Sequence, residues 1–189
     1  MGWGVMQVDN SQYKHFRQNF DNECGPSCVV MIARIFDKGL SINDCRYKVA
    51  SVDRRHQSSF RSNWTKDWSY ISSLAFVLSS QGINNARTRK NLSANNYKNL
   101  VFNESTPKTP SILRVQWRNE FSAPDFLYTG GHFVVCLGKS TTNENIVNIM
   151  DPGYDTGPIQ VPNWGLYPDY APPYGGFGYL DRNYSISTN

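Results

Sequence analysis

The hydrophobic period of this chain changes at Thr106-Pro107-Lys108-Thr109-Pro110. Before that proline-rich connector, apolar residues recur at helical spacing; after it they alternate. Cys28, Val29, Met31, Ile32, Ile35 and Phe36 share one arc of a helix expected over about Ser27–Lys38, with Arg34, Asp37 and Lys38 opposite and Gly39 as its stop. Ser41-Ile42-Asn43-Asp44 has the form of a capping box and predicts a short helix to about Ser51. A helix begun at Thr65 or Asp67 would put Ile71, Leu74, Ala75 and Leu78 on one face and end at Gly82, and a weaker helical pattern covers Ser93 to Phe102. Beyond the connector, Leu113, Val115 and Trp117 alternate with Ile112, Arg114 and Gln116, and His132–Leu137 and Ile146–Met150 read as two further strands. The expected architecture is α+β: one domain over residues 1–189, with a helical lobe (1–108) packed on an antiparallel sheet lobe (109–189) that ends in a Pro- and Tyr-rich tail (158–179). Residues 1–17 read as irregular, 53–63 as an exposed loop, and Arg87, Arg89 and Lys90 as a solvated basic face.

Composition bounds the function classes. At 189 residues the chain can bury a core without staples, and 39% hydrophobic with 18% charged residues suits a soluble globular protein. A net charge of +4 does not point to a nucleic-acid binder. There is no apolar run of membrane-spanning length and no signal-peptide core near the start, so a cytoplasmic protein with no membrane or nucleic-acid partner is expected. Cys24 and Cys28, one helical turn apart, are poorly placed for a disulfide, and no second Cys pair stands at zinc-ligand spacing. Cys24, Cys28, Cys45 and Cys136 therefore read as free thiols in a reducing compartment, with no metal or cofactor.

The chemistry concentrates in Gln18-Asn19-Phe20-Asp21-Asn22-Glu23-Cys24-Gly25-Pro26-Ser27-Cys28. Cys24 falls at or just before a helix N-terminus, where unpaired N–H groups and the macrodipole favour an anion and hence the thiolate. Cys28 lies a turn deeper and should be inert. Later come Gly130-Gly131-His132-Phe133-Val134-Val135 and Ile149-Met150-Asp151-Pro152-Gly153. A simple hairpin around Gly138–Asn145 would be symmetric about Thr141 and Thr142 and set His132 directly opposite Asp151, close enough for the carboxylate to fix the imidazole tautomer. In that arrangement Cys24 attacks a carbonyl, His132 moves the proton, Asp151 orients the imidazolium, and the Cys24 N–H and Gln18 side-chain amide hold the oxyanion. Gly130 and Gly131 would let backbone approach closely at the substrate site. Taken singly, each residue has an ordinary reading: a surface glutamine, a strand histidine, a turn aspartate, turn glycines. Their order and context outweigh those readings. His15 and His56, with no matching neighbours, read as surface residues.

Gln18, Cys24-Gly25-Pro26, His132-Phe133-Val134-Val135 and Asp151-Pro152 together resemble the papain-like cysteine peptidases of the C39-like, bacteriocin-processing family, over roughly Gln18 to Gly153. The resemblance implies a papain-like fold and cleavage of a protein or peptide substrate after a Gly-Gly pair. Members of that family are typically fused to an exporter, and this sequence shows neither transmembrane helices nor an ATPase. It therefore looks like the catalytic part of a bacterial effector or interbacterial toxin, with an immunity protein as a further partner. Internal Gly130-Gly131 and Gly175-Gly176 raise self-processing as a minor alternative. Two other readings stay open: an acyltransferase or transglutaminase-like enzyme with the same triad, and a non-catalytic peptide-binding module.

Overall fold

A computed structural model describes residues 3–20, 22–52, 69–116, 132–153, 159–162 and 179–188. Gly130, Gly131, His56, the 53–63 loop, the proposed helix start at Thr65 or Asp67, and most of the aromatic tail lie outside the described residues. The described architecture is α+β, as the change of period requires. Its N-terminal segment is not irregular. Strands β1 (Trp3–Val8) and β2 (Ser11–Phe16) form an antiparallel hairpin turned by Asp9 and Asn10, with Asp9 at φ 50°. The hairpin escaped sequence reading because apolar and polar residues are mixed along it and most of the described ones are exposed; an Asp-Asn pair between Val8 and Ser11 was the available signal. Trp3 and Phe16, paired across the strands, meet edge to face with centroids 5.2 Å apart.

The central helix α1 runs Cys24–Ile35, and its first ten residues, Cys24 to Ala33, are all buried. It starts three residues earlier than its apolar arc suggested, with Glu23 as N-cap. It also stops earlier than Gly39. The Lys38 N–H bonds Ala33 O at 2.8 Å and the Asp37 N–H bonds Arg34 O at 3.1 Å, with Asp37 at φ 55°. That is a Schellman stop in which an aspartate takes the left-handed position glycine usually fills. Helix α2 (Ile42–Val52) opens as its capping box requires, the Asp44 N–H donating to Ser41 Oγ at 3.1 Å. Helix α3 (Ile71–Ser80) ends at Gly82, whose φ of 79° admits the same kind of stop. Helix α4 (Ala94–Asn99), capped by Ser93, runs on into a π-helical turn over Leu100–Glu104.

Strands β3 (Arg87–Arg89), β4 (Ser111–Gln116), β5 (His132–Lys139), β6 (Ile146–Met150), β7 (Ile159–Pro162) and β8 (Tyr179–Ser187) form one antiparallel sheet in the order β3-β8-β4-β5-β6-β7. Strand β5 is buried on both faces. Phe133, Val135 and Leu137 join the main core with α1, α2 and α3, while Val134 and Cys136 join a second core with Tyr97, Leu100 and Val101. Each fully buried Val, Leu, Ile or Met contributes roughly 1.5–3 kcal/mol. The ten consecutive buried residues of α1 therefore anchor it firmly in the core.

The β5–β6 register differs from the expected one. Val135 pairs with Met150 and Cys136 with Ile149, after which the register slips before Lys139↔Val147. Continued one step past β6, Asp151 faces Val134 rather than His132. A displacement of two residues keeps a side chain on its face, whereas a displacement of one would reverse it. The slip sits at Gly138, at φ 78°, where a Cβ would come 1.9 Å from the Ser105 carbonyl oxygen. Only glycine fits both demands.

Candidate active site

Cys24 is the first residue of α1 and 6% exposed. The Ser27 N–H bonds Glu23 O at 2.9 Å and so closes the first helical turn. The amides before it have no acceptor within the helix, and Pro26 has no N–H, so the Cys24 and Gly25 amides are the donors at the helix mouth. The residue before the thiol is an acid. Buried Glu23 pairs with Arg46 of α2 and accepts the Asn19 N–H at 2.6 Å, and the Arg46 guanidinium lies 4.8 Å from the centroid of the Phe20 ring. The ion pair cancels a charge that would otherwise oppose a thiolate one residue away. It also ties Asn19 and Phe20 to the helix start.

His132 opens β5 and Asp151 follows β6; both are buried. His132 Nε2–H donates to Asp151 Oδ1 at 2.6 Å, and the Gly153 N–H donates to the same oxygen at 2.7 Å. Burial alone would lower the proton affinity of the imidazole. The Asp151 charge and hydrogen bond, with a smaller contribution from the nearby Cys24 side chain, outweigh it and raise the His132 pKa to about 10. Cys24, His132 and Asp151 thus meet although they come from a helix and two strands. With Nε2 on the carboxylate, Nδ1 is the ring nitrogen left for the sulfur.

Gln18 is 9% exposed. Its backbone N–H donates to Pro152 O at 2.8 Å, and its side-chain Nε2 donates to Phe20 O at 3.1 Å. An amide nitrogen carries two donors, of which the Phe20 carbonyl takes one.

All four cysteines are free and buried. Burial drives the Cys28 thiol well up, with smaller contributions from Cys24, Asp151 and Cys45. It drives Cys45 up as well, and Cys136 up to about 11. Cys28 is therefore held as an inert thiol one turn below Cys24.

Two site features were missed from sequence. His15 is not a surface residue: it is 2% exposed on β2, and its Nε2–H donates to the Asp151 carbonyl at 2.8 Å. Asp9, at the β1–β2 turn, accepts from Ser140 Oγ at 2.5 Å and from the Thr141 N–H at 2.9 Å, clasping the β5–β6 loop. Burial would raise the Asp9 pKa, but hydrogen bonds from Ser140, Thr141 and Thr142 lower it. Neither contact has a local signature, since the partners lie more than 130 residues apart.

Among the described residues no three His, Cys, Asp or Glu side chains are placed to hold a metal ion, and no helix is long and apolar enough to cross a membrane. Two open grooves, of about 410 and 520 Å³, lie around Lys14 and Arg34 toward the other end of α1, and Cys24 lines neither.

No family model and no curated protein matches the chain. Among solved structures, the crystal structure of the Pseudomonas avirulence protein AvrPphB aligns with 88% of this chain and 90% of its own, at 11% identity and a TM-score of 0.37.

Proposed function

We propose that the chain is a cysteine endopeptidase that works through Cys24, His132 and Asp151. The observation that carries the reading is the buried imidazole bonded to Asp151 Oδ1 at 2.6 Å, close enough to Cys24 for the sulfur to contribute to its raised pKa. An imidazole raised to about 10 is cationic at neutral pH and holds the proton that the leaving amine needs. The Cys24 thiolate attacks the substrate carbonyl carbon, and the oxyanion is met by the Cys24 N–H and the Gln18 amide. His132 gives its Nδ1 proton to the leaving amine as the C–N bond breaks, leaving a thioester on Cys24. It then takes a proton from water, whose oxygen attacks the thioester carbonyl and releases the acid and the thiolate. Asp151 keeps Nε2 protonated throughout.

The preference for Gly-Gly substrates, the papain-like character of the fold, and an effector or toxin setting with an immunity protein rest on the C39-like resemblance. Transfer of the acyl group to an amine or thiol instead of water uses the same three residues and the same thioester. The test is cleavage of a Gly-Gly peptide by the chain. Cys24→Ala and His132→Ala should each lose on the order of 10⁴-fold or more in kcat. Asp151→Ala should retain roughly 100-fold more activity than either. Gly-Ala and Ala-Ala versions should be cut poorly. Unchanged turnover in Cys24→Ala would end the proposal, whereas equal rates on the three peptides would remove only the specificity.

A further inference from the structure

We infer that His15 is a positioning residue for this site, joining the strand end that carries Asp151 to the segment that carries Gln18. The inference rests on the catalytic reading above. Strand β6 ends at Met150, so the Asp151 carbonyl has left the sheet ladder, yet Asp151 is fully buried. A buried carbonyl needs a donor, and His15 Nε2–H supplies it at 2.8 Å across 136 residues of sequence. Three residues on, the Gln18 N–H takes the next carbonyl, Pro152 O, also at 2.8 Å. Two successive carbonyls are thus fixed by two groups of one short segment.

The consequence reaches the carboxylate. Asp151 Oδ1 receives both the His132 Nε2–H and the Gly153 N–H, so its aim is set by the 151–153 backbone that His15 and Gln18 hold. Moving that backbone by a fraction of an ångström lengthens the Asp151–His132 bond and shifts Gln18 at the same time. A carbonyl only accepts, so His15 must carry its proton on Nε2. The groups that face His132 are Asp151, from the end of β6, and Cys24, from α1, with Cys28 one turn deeper. His15 acts on the imidazole through Asp151 alone.

Nitrogen-15 NMR of the imidazoles in the whole chain reads both ends of this coupling. Wild-type His15 should show its proton on Nε2. His132 should titrate near 10 in the wild type and stay there in His15→Gln, whose amide can still donate to the Asp151 carbonyl. In His15→Phe it should fall by about one unit or more, and iodoacetamide labelling of Cys24 at pH 7 should slow by about tenfold. A His15 proton on Nδ1, or an unchanged His132 titration in His15→Phe, overturns the inference and leaves the peptidase reading standing. If His15→Phe does not fold, the tautomer of wild-type His15 and the His132 titration in His15→Gln decide. A wild-type His132 that titrates near the ordinary 6.5 removes the peptidase reading and this inference with it.

Discussion

The two halves of the site are built in different ways. The thiol half comes from one continuous stretch, Gln18 to Cys28, in which a helix start, a proline and a buried ion pair define where Cys24 sits. The imidazole half comes from two strand ends 19 residues apart, and its geometry depends on a bulge at Gly138, a clasp from Asp9 and a carbonyl held by His15. The thiol half is mostly local, because the helix start and Pro26 fix Cys24 from within its own stretch, with Arg46 and Pro152 as its distant supports. Non-local construction transmits errors, because a slip in register anywhere along β5 is delivered to His132. Substitutions should therefore damage the two halves differently.

The largest effect is expected at the bulge. Gly138→Ala places a side chain at φ 78° and a Cβ against the Ser105 carbonyl. Strain of about 1–3 kcal/mol adds to overpacking of about 1–3 kcal/mol, measurable as a fall in unfolding free energy. Because Cys24 does not depend on that register, the surviving folded fraction should keep α1 intact while the His132–Asp151 contact loosens. Arg46→Ala tests the thiol half. It leaves Glu23 charged and buried without its Arg46 partner, at a cost of about 3–5 kcal/mol. Restored stability in the double variant Glu23→Gln/Arg46→Met would show that the pair, and not packing alone, carries the effect. Gln18→Ala should leave stability nearly unchanged and lower kcat on a cleaved peptide by the equivalent of about 2.7–4 kcal/mol, the usual effect of losing one oxyanion donor. A loss confined to KM would instead make Gln18 a binding residue.

A further effect is one of pH. The folded-state pKa of His132 is raised, from an ordinary 6.5 to about 10. The folded state therefore binds more protons than the unfolded chain between those values, and stability falls as pH rises across that window. The contribution is complete below pH about 6.5 and gone above the folded value. Thermal unfolding of the wild type and His132→Ala across this range should diverge at the acid end and converge at the alkaline end.

The same contrast governs what could be read from the sequence. Helix α1, the capping box at Ser41 and the stop at Gly82 are local devices, and their residues state them directly. The true stop at Asp37 was harder to see because Gly39 stood two residues away as a more usual candidate. Strand positions on β4, β5 and β6 were legible from alternation and apolar runs, but their register was not. It turns on Gly138 approaching Ser105 and on Asp9 reaching Ser140, and neither approach is encoded by spacing within the hairpin. His15 looked like an exposed residue because the strand around it is polar; its burial follows from β2 packing beside α1 and the 151–152 backbone, a tertiary fact. Strand β7 was hidden in a segment whose prolines and aromatics masked any alternation, and β8 begins where that segment ends.

The central claim is that one sulfur among four is held reactive by His132. Iodoacetamide labelling of the folded chain at pH 7, mapped by mass spectrometry, tests it most directly. Cys24 should label first and fast, with Cys28, Cys45 and Cys136 protected, and His132→Ala should erase the preference. Labelling of Cys24 no faster than Cys45, or a rate unaltered by the loss of the imidazole, would contradict the account.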